Sequence, residues 1–150
     1  MLRARPFPLD ATTATGAACL PPALAALAAL YFLASLAHFA HNAEYIAVYP
    51  GLPAWITHES VWLAWLGLTG LALAGVVAWK SGRPRLAAAL LGTWGAFGAD
   101  GLLHYTLALC AQHTLATNAT IWAEAATGLA LFALAAWSLR PLPRPVRGGR

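Results

Sequence analysis

At 150 residues the chain is one domain long, yet it is 60% hydrophobic and only 9% charged. A soluble domain carries about 25% charged residues, so this chain cannot cover a water-facing surface, and lipid must be its outer solvent. The formal net charge of +4 matters less than where it falls. Cys19 and Cys110 form no C-x-x-C pair and give a thiol-redox role no support; both read as small apolar fillers.

Residues 1–20 open with Met-Leu-Arg-Ala-Arg-Pro-Phe-Pro and continue through a Thr/Ala/Gly stretch without a helical face. They are expected to form an unstructured or surface-lying lead. A cleaved signal peptide is the rival reading, but Arg3 and Arg5 stand far from the apolar run. Pro21 and Pro22 suit a helix start, where the first N–H groups lack partners anyway. A span needs about 20 apolar residues, which sets the first at about 22–45. Its far end is His38-Phe39-Ala40-His41-Asn42-Ala43-Glu44-Tyr45, dense in ligand chemistry.

A turn-rich link with Pro50, Gly51 and Pro53 follows, and Thr57-His58-Glu59-Ser60 offers capping types before a second span at about 61–79. Trp62, Trp65 and Trp79 place aromatics at both ends of it. After the basic turn Lys80-Ser81-Gly82-Arg83-Pro84-Arg85, the third span covers about 86–111. It contains Gly92, Gly95, Gly98 and Gly101, which let neighbouring backbones approach closely. A polar link, 112–120, carries the sequon Asn118-Ala119-Thr120. The fourth span covers about 121–139, and 141–150 is a basic tail expected to be disordered.

All nine Lys and Arg then fall on one side of the membrane, and the links 45–60 and 112–120 hold none. The positive-inside rule therefore predicts both termini cytoplasmic. The expected fold class is all-α, an integral membrane four-helix bundle. The expected location is a bacterial inner membrane with the polar cluster toward the periplasmic side.

Depth connects the ionisable residues. At 1.5 Å per residue, His38 lies about 24 Å along the first helix, Asp100 about 21 Å and His104 about 27 Å along the third. Glu124 lies one turn inside the outer end of the fourth. Asp100 and His104, at i and i+4, should share a helical face. Charge at such depth costs on the order of 2.5–3.5 kcal/mol per residue on insertion scales, which makes these residues functional candidates. His58, Glu59 and His113 read as solvated link residues.

Imidazoles with carboxylates suit zinc or non-haem iron. The expected metal ligands are His38, His41, His104 and Asp100, with Glu124 and Asp100 as catalytic groups acting on metal-bound water or a lipophilic substrate. The Asp100-x-x-x-His104 pair resembles part of the zinc site of the seven-span ceramidase and adiponectin-receptor hydrolases. Two matched residues in a four-span chain imply neither their fold nor their activity. Bis-histidine haem b, with His104 opposite His38 or His41, is the alternative cofactor. A metal-free acid/base isomerase of a lipid-like molecule and a structural subunit of a membrane complex are the other readings. Expected partners are membrane lipid, a lipophilic small molecule, and a second copy or a larger membrane complex. The basic ends read as topology signals, not as nucleic-acid sites.

Overall fold

The computed structural model describes residues 19–49 and 51–140. Most of the expected N-terminal lead and all of the tail 141–150 lie outside the described residues. The described residues are mostly helical, joined by short links, and contain no strand. Helix α1 covers Pro22–Glu44 and α2 covers His58–Lys80. The third span, Pro84–Leu107, is composite: α3 (Pro84–Ala96), a 3₁₀ segment (Phe97–Leu103) and the single turn α4 (His104–Leu107). Helix α5 covers Leu115–Ser138, and short 3₁₀ turns stand at Ile46–Val48 and Cys110–Gln112. The four long segments are apolar and long enough to cross a membrane.

Local chemistry sets the helix ends. Pro22 and Pro84 each occupy the first turn of their helices, where a missing N–H costs nothing. Thr57 and Ser60 exchange hydrogen bonds as a capping box that starts α2. The Thr114 hydroxyl accepts the Thr117 N–H at 3.1 Å, and this cap starts α5 at Leu115, six residues earlier than expected. Thr117, Asn118 and Thr120 are therefore helical rather than parts of a polar link. Asn118, the sequon residue, accepts the Tyr105 O–H at 2.8 Å and donates to the Cys110 carbonyl at 3.2 Å. It ties the end of the third span to α5.

The helices pack in a square. Helix α1 touches α2 and α5, and α3 touches α2 and α5. The core is apolar toward the basic end: Leu24, Tyr31, Leu91, Trp94, Leu131 and Ala135, with the Tyr31 and Trp94 rings 4.5 Å apart. Leu63, Leu66, Leu73 and Val77 of α2 stay exposed, as a lipid-facing helix requires.

A glycine seam closes the third span on α5. A Cβ on Gly95 would stand 2.7 Å from the Gly128 carbonyl oxygen, and one on Gly98 would stand 2.8 Å from that of Glu124. Backbone meets backbone there, with no flexible side chain to give way. Gly95→Ala or Gly98→Ala should lower the unfolding midpoint in detergent micelles, at a cost on the order of 1–3 kcal/mol for overpacking. Gly67 has nothing within 4 Å of a built Cβ, so Gly67→Ala should be neutral or stabilise by up to about 1 kcal/mol through helix propensity. Equal effects at the two kinds of site would contradict the seam.

Candidate functional site

Away from the basic turn, the apolar core gives way to a buried polar chain. Helix α1 contributes His38 and Asn42 from one face, four residues apart. Helix α5 contributes Thr120 and Glu124 with the same spacing. His38 and Glu124 are each 2% exposed. The third span contributes His104 through its change of winding. In a 3₁₀ segment residues i and i+3 eclipse, so Gly98, Gly101 and His104 line up, and the two glycines are buried.

The hydrogen bonds assign the protons. His38 Nδ1 lies 3.3 Å from Thr120 Oγ1. Thr120 donates its own proton to the Thr117 carbonyl at 2.9 Å, so the ring N–H donates and the hydroxyl accepts. Nε2 of His38 is then a lone pair, and it accepts an N–H from Asn42 Nδ2 at 3.0 Å. The second N–H of the same amide goes to His104 Nε2 at 3.2 Å. Both neutral rings therefore carry their proton on Nδ1. They cross nearly edge to face, with centroids 5.3 Å apart. Glu124 Oε2 stands 3.5 Å from His38 Nε2. Nε2 has a single lone pair and Asn42 already donates to it, so the His38 ring has no proton to give the carboxyl. A Cβ on Gly101 would come within 3.2 Å of Glu124 Oε2 and 3.6 Å of His38 Nε2, so the glycine leaves room for the pair.

A second tier lies nearer the bundle end. Gly51, at φ +74°, adopts a left-handed conformation open to few other residues, and a Cβ there would meet the Leu107 carbonyl at 3.0 Å. The link thus folds onto the third span, and Tyr49 lies over His104 with ring centroids 5.1 Å apart. Tyr49 Oη and His41 Nδ1 are 2.9 Å apart. Burial pushes the Tyr49 phenol above its usual range, and the neighbouring Thr117 hydroxyl only partly opposes the shift. The phenol therefore keeps its proton at neutral pH. His113 packs 6.1 Å from His104 and 6.2 Å from Tyr49, centroid to centroid. Its buried Nε2 has no hydrogen-bond partner among the described residues.

Two cavities flank the chain. One, of about 290 Å³, is bordered by His41, Tyr49, His113 and Thr117, among others. The other, of about 260 Å³, lies between α1, the link and the start of α2, and Asn42 and His104 border it.

The expected metal ligands do not assemble as one set. His38 and His104 meet across Asn42, while His41 turns to Tyr49. Asp100 is exposed, and no hydrogen bond or ion pair joins it to His104 among the described residues. The reason is the winding: four residues at three per turn carry Asp100 about 120° away from His104. Among the described residues no group of three or more His, Cys, Asp or Glu is placed to hold a metal ion. The space between the two Nε2 atoms, where a bis-imidazole haem iron would lie, holds the Asn42 amide nitrogen. Glu124 does join the cluster, beside His38. His58 and Glu59 are exposed at the start of α2. Asn42, Thr120, Tyr49 and His113 enter as site residues beyond the expected set. For Asn42 the signal was present, because it stands one helical turn past His38.

No protein-family model, curated protein or solved structure matches the chain.

Burial raises the Tyr49 phenol, so the sign of its linkage is fixed. Its contribution to stability is present below the unfolded phenol value of about 10 and is lost as pH rises through the folded value. A spectroscopic titration of Tyr49→Phe should lack one late-ionising tyrosine, and its stability should fall less on going to alkaline pH. Loss of an ordinary tyrosine, with the late-ionising component intact, would place the Tyr49 phenol in water.

Proposed function

We propose that this four-span membrane protein binds a lipophilic small molecule in the 260 Å³ cavity between α1 and α2, and that His104 meets the polar end of that molecule. One observation carries the reading. His104 borders an otherwise largely apolar cavity, while its Nε2 is tied through Asn42 to a buried His38 and Glu124. That chain fixes the tautomer and leaves the Nδ1–H of His104 for a ligand. Neutral imidazoles held this way act as hydrogen-bond donors of set direction, as second-shell partners do for ligating histidines. His38 and Glu124 border neither of the two flanking cavities, so they are positioning residues. Acid–base chemistry on a bound molecule would run through His104.

The lysine and arginines of the α2–α3 turn, with Arg140, stand at the opposite end of the bundle from the cavity. By the positive-inside rule that end is cytoplasmic, which directs the site toward the outer leaflet, the periplasmic side of a bacterial inner membrane. A second reading, a zinc or non-haem iron ion, is favoured by the meeting of two Nε2 lone pairs near a carboxylate oxygen. Its ligands would be His38, His104 and Glu124 once Asn42 turned aside. Elemental analysis separates the two. Stoichiometric metal in the wild type, lost in His104→Ala, would replace the first reading with the second.

The direct test is native mass spectrometry of protein extracted with its lipid. The wild type should retain a lipophilic molecule, and Ala64→Trp, which fills the cavity wall, should lose it. Retention unchanged in Ala64→Trp would refute the cavity as the binding site.

A further inference from the structure

Of the five acidic residues, Asp10 lies outside the described residues and three others are accounted for. Glu44 and Glu59 are exposed at the outer ends of α1 and α2, and Glu124 is buried beside His38. Asp100 differs from all of them. It is exposed within the third membrane-spanning segment, and it makes no hydrogen bond or ion pair with any described residue. At about 2.0 Å per residue through the 3₁₀ segment and about 1.5 Å through α4, it lies about 12 Å in from Leu107. That depth is inside a hydrocarbon layer of roughly 30 Å. Lys and Arg reach water from within lipid along flexible stems; the single methylene of an aspartate does not carry its carboxylate that far.

The surface around Asp100 is open. With three residues per turn, Phe97, Asp100 and Leu103 form one stripe, set apart from the inward stripe of Gly98, Gly101 and His104. Phe97 is half-buried and Leu103 is 59% exposed, so the carboxylate stands between two apolar side chains. Helix α2 packs along α3 but barely meets the 3₁₀ segment, and Asp100 and Leu103 are left without a covering helix. The described Lys and Arg residues, Lys80, Arg83, Arg85 and Arg140, stand at the opposite end of the bundle. The positive-inside rule orients every copy alike. A second copy alongside would therefore bring another Asp100 to this level and its basic turn to the wrong one. Charge complementarity selects a different chain. We propose that the Phe97–Asp100–Leu103 stripe docks a transmembrane helix of another protein, which carries a Lys or Arg in the outer half of its span, and that Asp100 pairs with that cation. A basic side chain at that depth is costly in lipid, as the carboxylate is, so each offsets the other. The proposal concerns the outer wall of the third span and is independent of the cavity and its ligand.

The probe is a synthetic single-span helix of Leu and Ala with one Lys near its middle, close to the depth of Asp100 in either orientation. Its control carries Leu in place of that Lys. Association of each with the full chain is measured by energy transfer in lipid vesicles. The wild type should bind the Lys helix about tenfold more tightly than the Leu helix, and Asp100→Leu should lose that preference. Asp100→Leu should also unfold at the wild-type temperature or above, because the fold itself draws nothing from the carboxylate. Equal binding of the two helices by the wild type, or a preference that survives in Asp100→Leu, would overturn the proposal. A lowered unfolding temperature would overturn it too, by making Asp100 a structural residue. So would a wild-type dimer that Asp100→Leu dissolves, since the occupant would then be a second copy.

Discussion

The site depends on one amide. Asn42 has two N–H groups, and each is directed at the Nε2 lone pair of a different histidine, one on its own helix and one on the third span. In a lipid-facing bundle no water stands ready to solvate a stray polar group, and burying one unpaired costs several kcal/mol on the less polar reference scales. Two neutral imidazoles, one amide and one threonine hydroxyl satisfy most of that demand among themselves, with the Glu124 carboxyl beside them. Asn42 Oδ1 is the atom of the inner chain left without a hydrogen-bond partner among the described residues.

Room for this chain comes from the backbone. The glycines of the third span press against Gly128 and the Glu124 turn of α5 closely enough to exclude side chains. The same stretch tightens into a 3₁₀ segment longer than such segments usually run. Close approach brings Glu124 up to His38, and the tightened winding turns His104 inward. Apolar packing of Tyr31, Trp94 and Leu131 closes the interior on the other side, so the polar chain opens only toward the link end.

Much of this could be read from the residues beforehand. Four spans followed from the apolar runs and the placement of the basic residues, and a common depth for His38, His104 and Glu124 followed from helical rise. Facing was harder. The pairing of Asp100 with His104 assumed 3.6 residues per turn through Gly98 and Gly101, where the chain uses about three, and no side-chain pattern announces that change. The start of α5 was hidden by polarity: Thr117, Asn118 and Thr120 resemble a loop, and only the Thr114 cap with the Tyr105–Asn118 bond makes them helix. His113 reads as a surface residue until Tyr49 and Tyr105 are folded around it. A metal was a reasonable expectation from residue types alone, because sequence does not reveal that an amide nitrogen stands between the imidazoles.

The tautomers of His38 and His104 carry the whole account, and nitrogen NMR of the histidine-labelled protein in lipid bilayers reads them directly. Both rings should be neutral near pH 7, with the proton on Nδ1 and a bare, hydrogen-bonded Nε2, and Asn42→Leu should release both. An imidazolium at His38, or the proton on Nε2 in either ring, would contradict the Asn42 bridge and everything inferred from it.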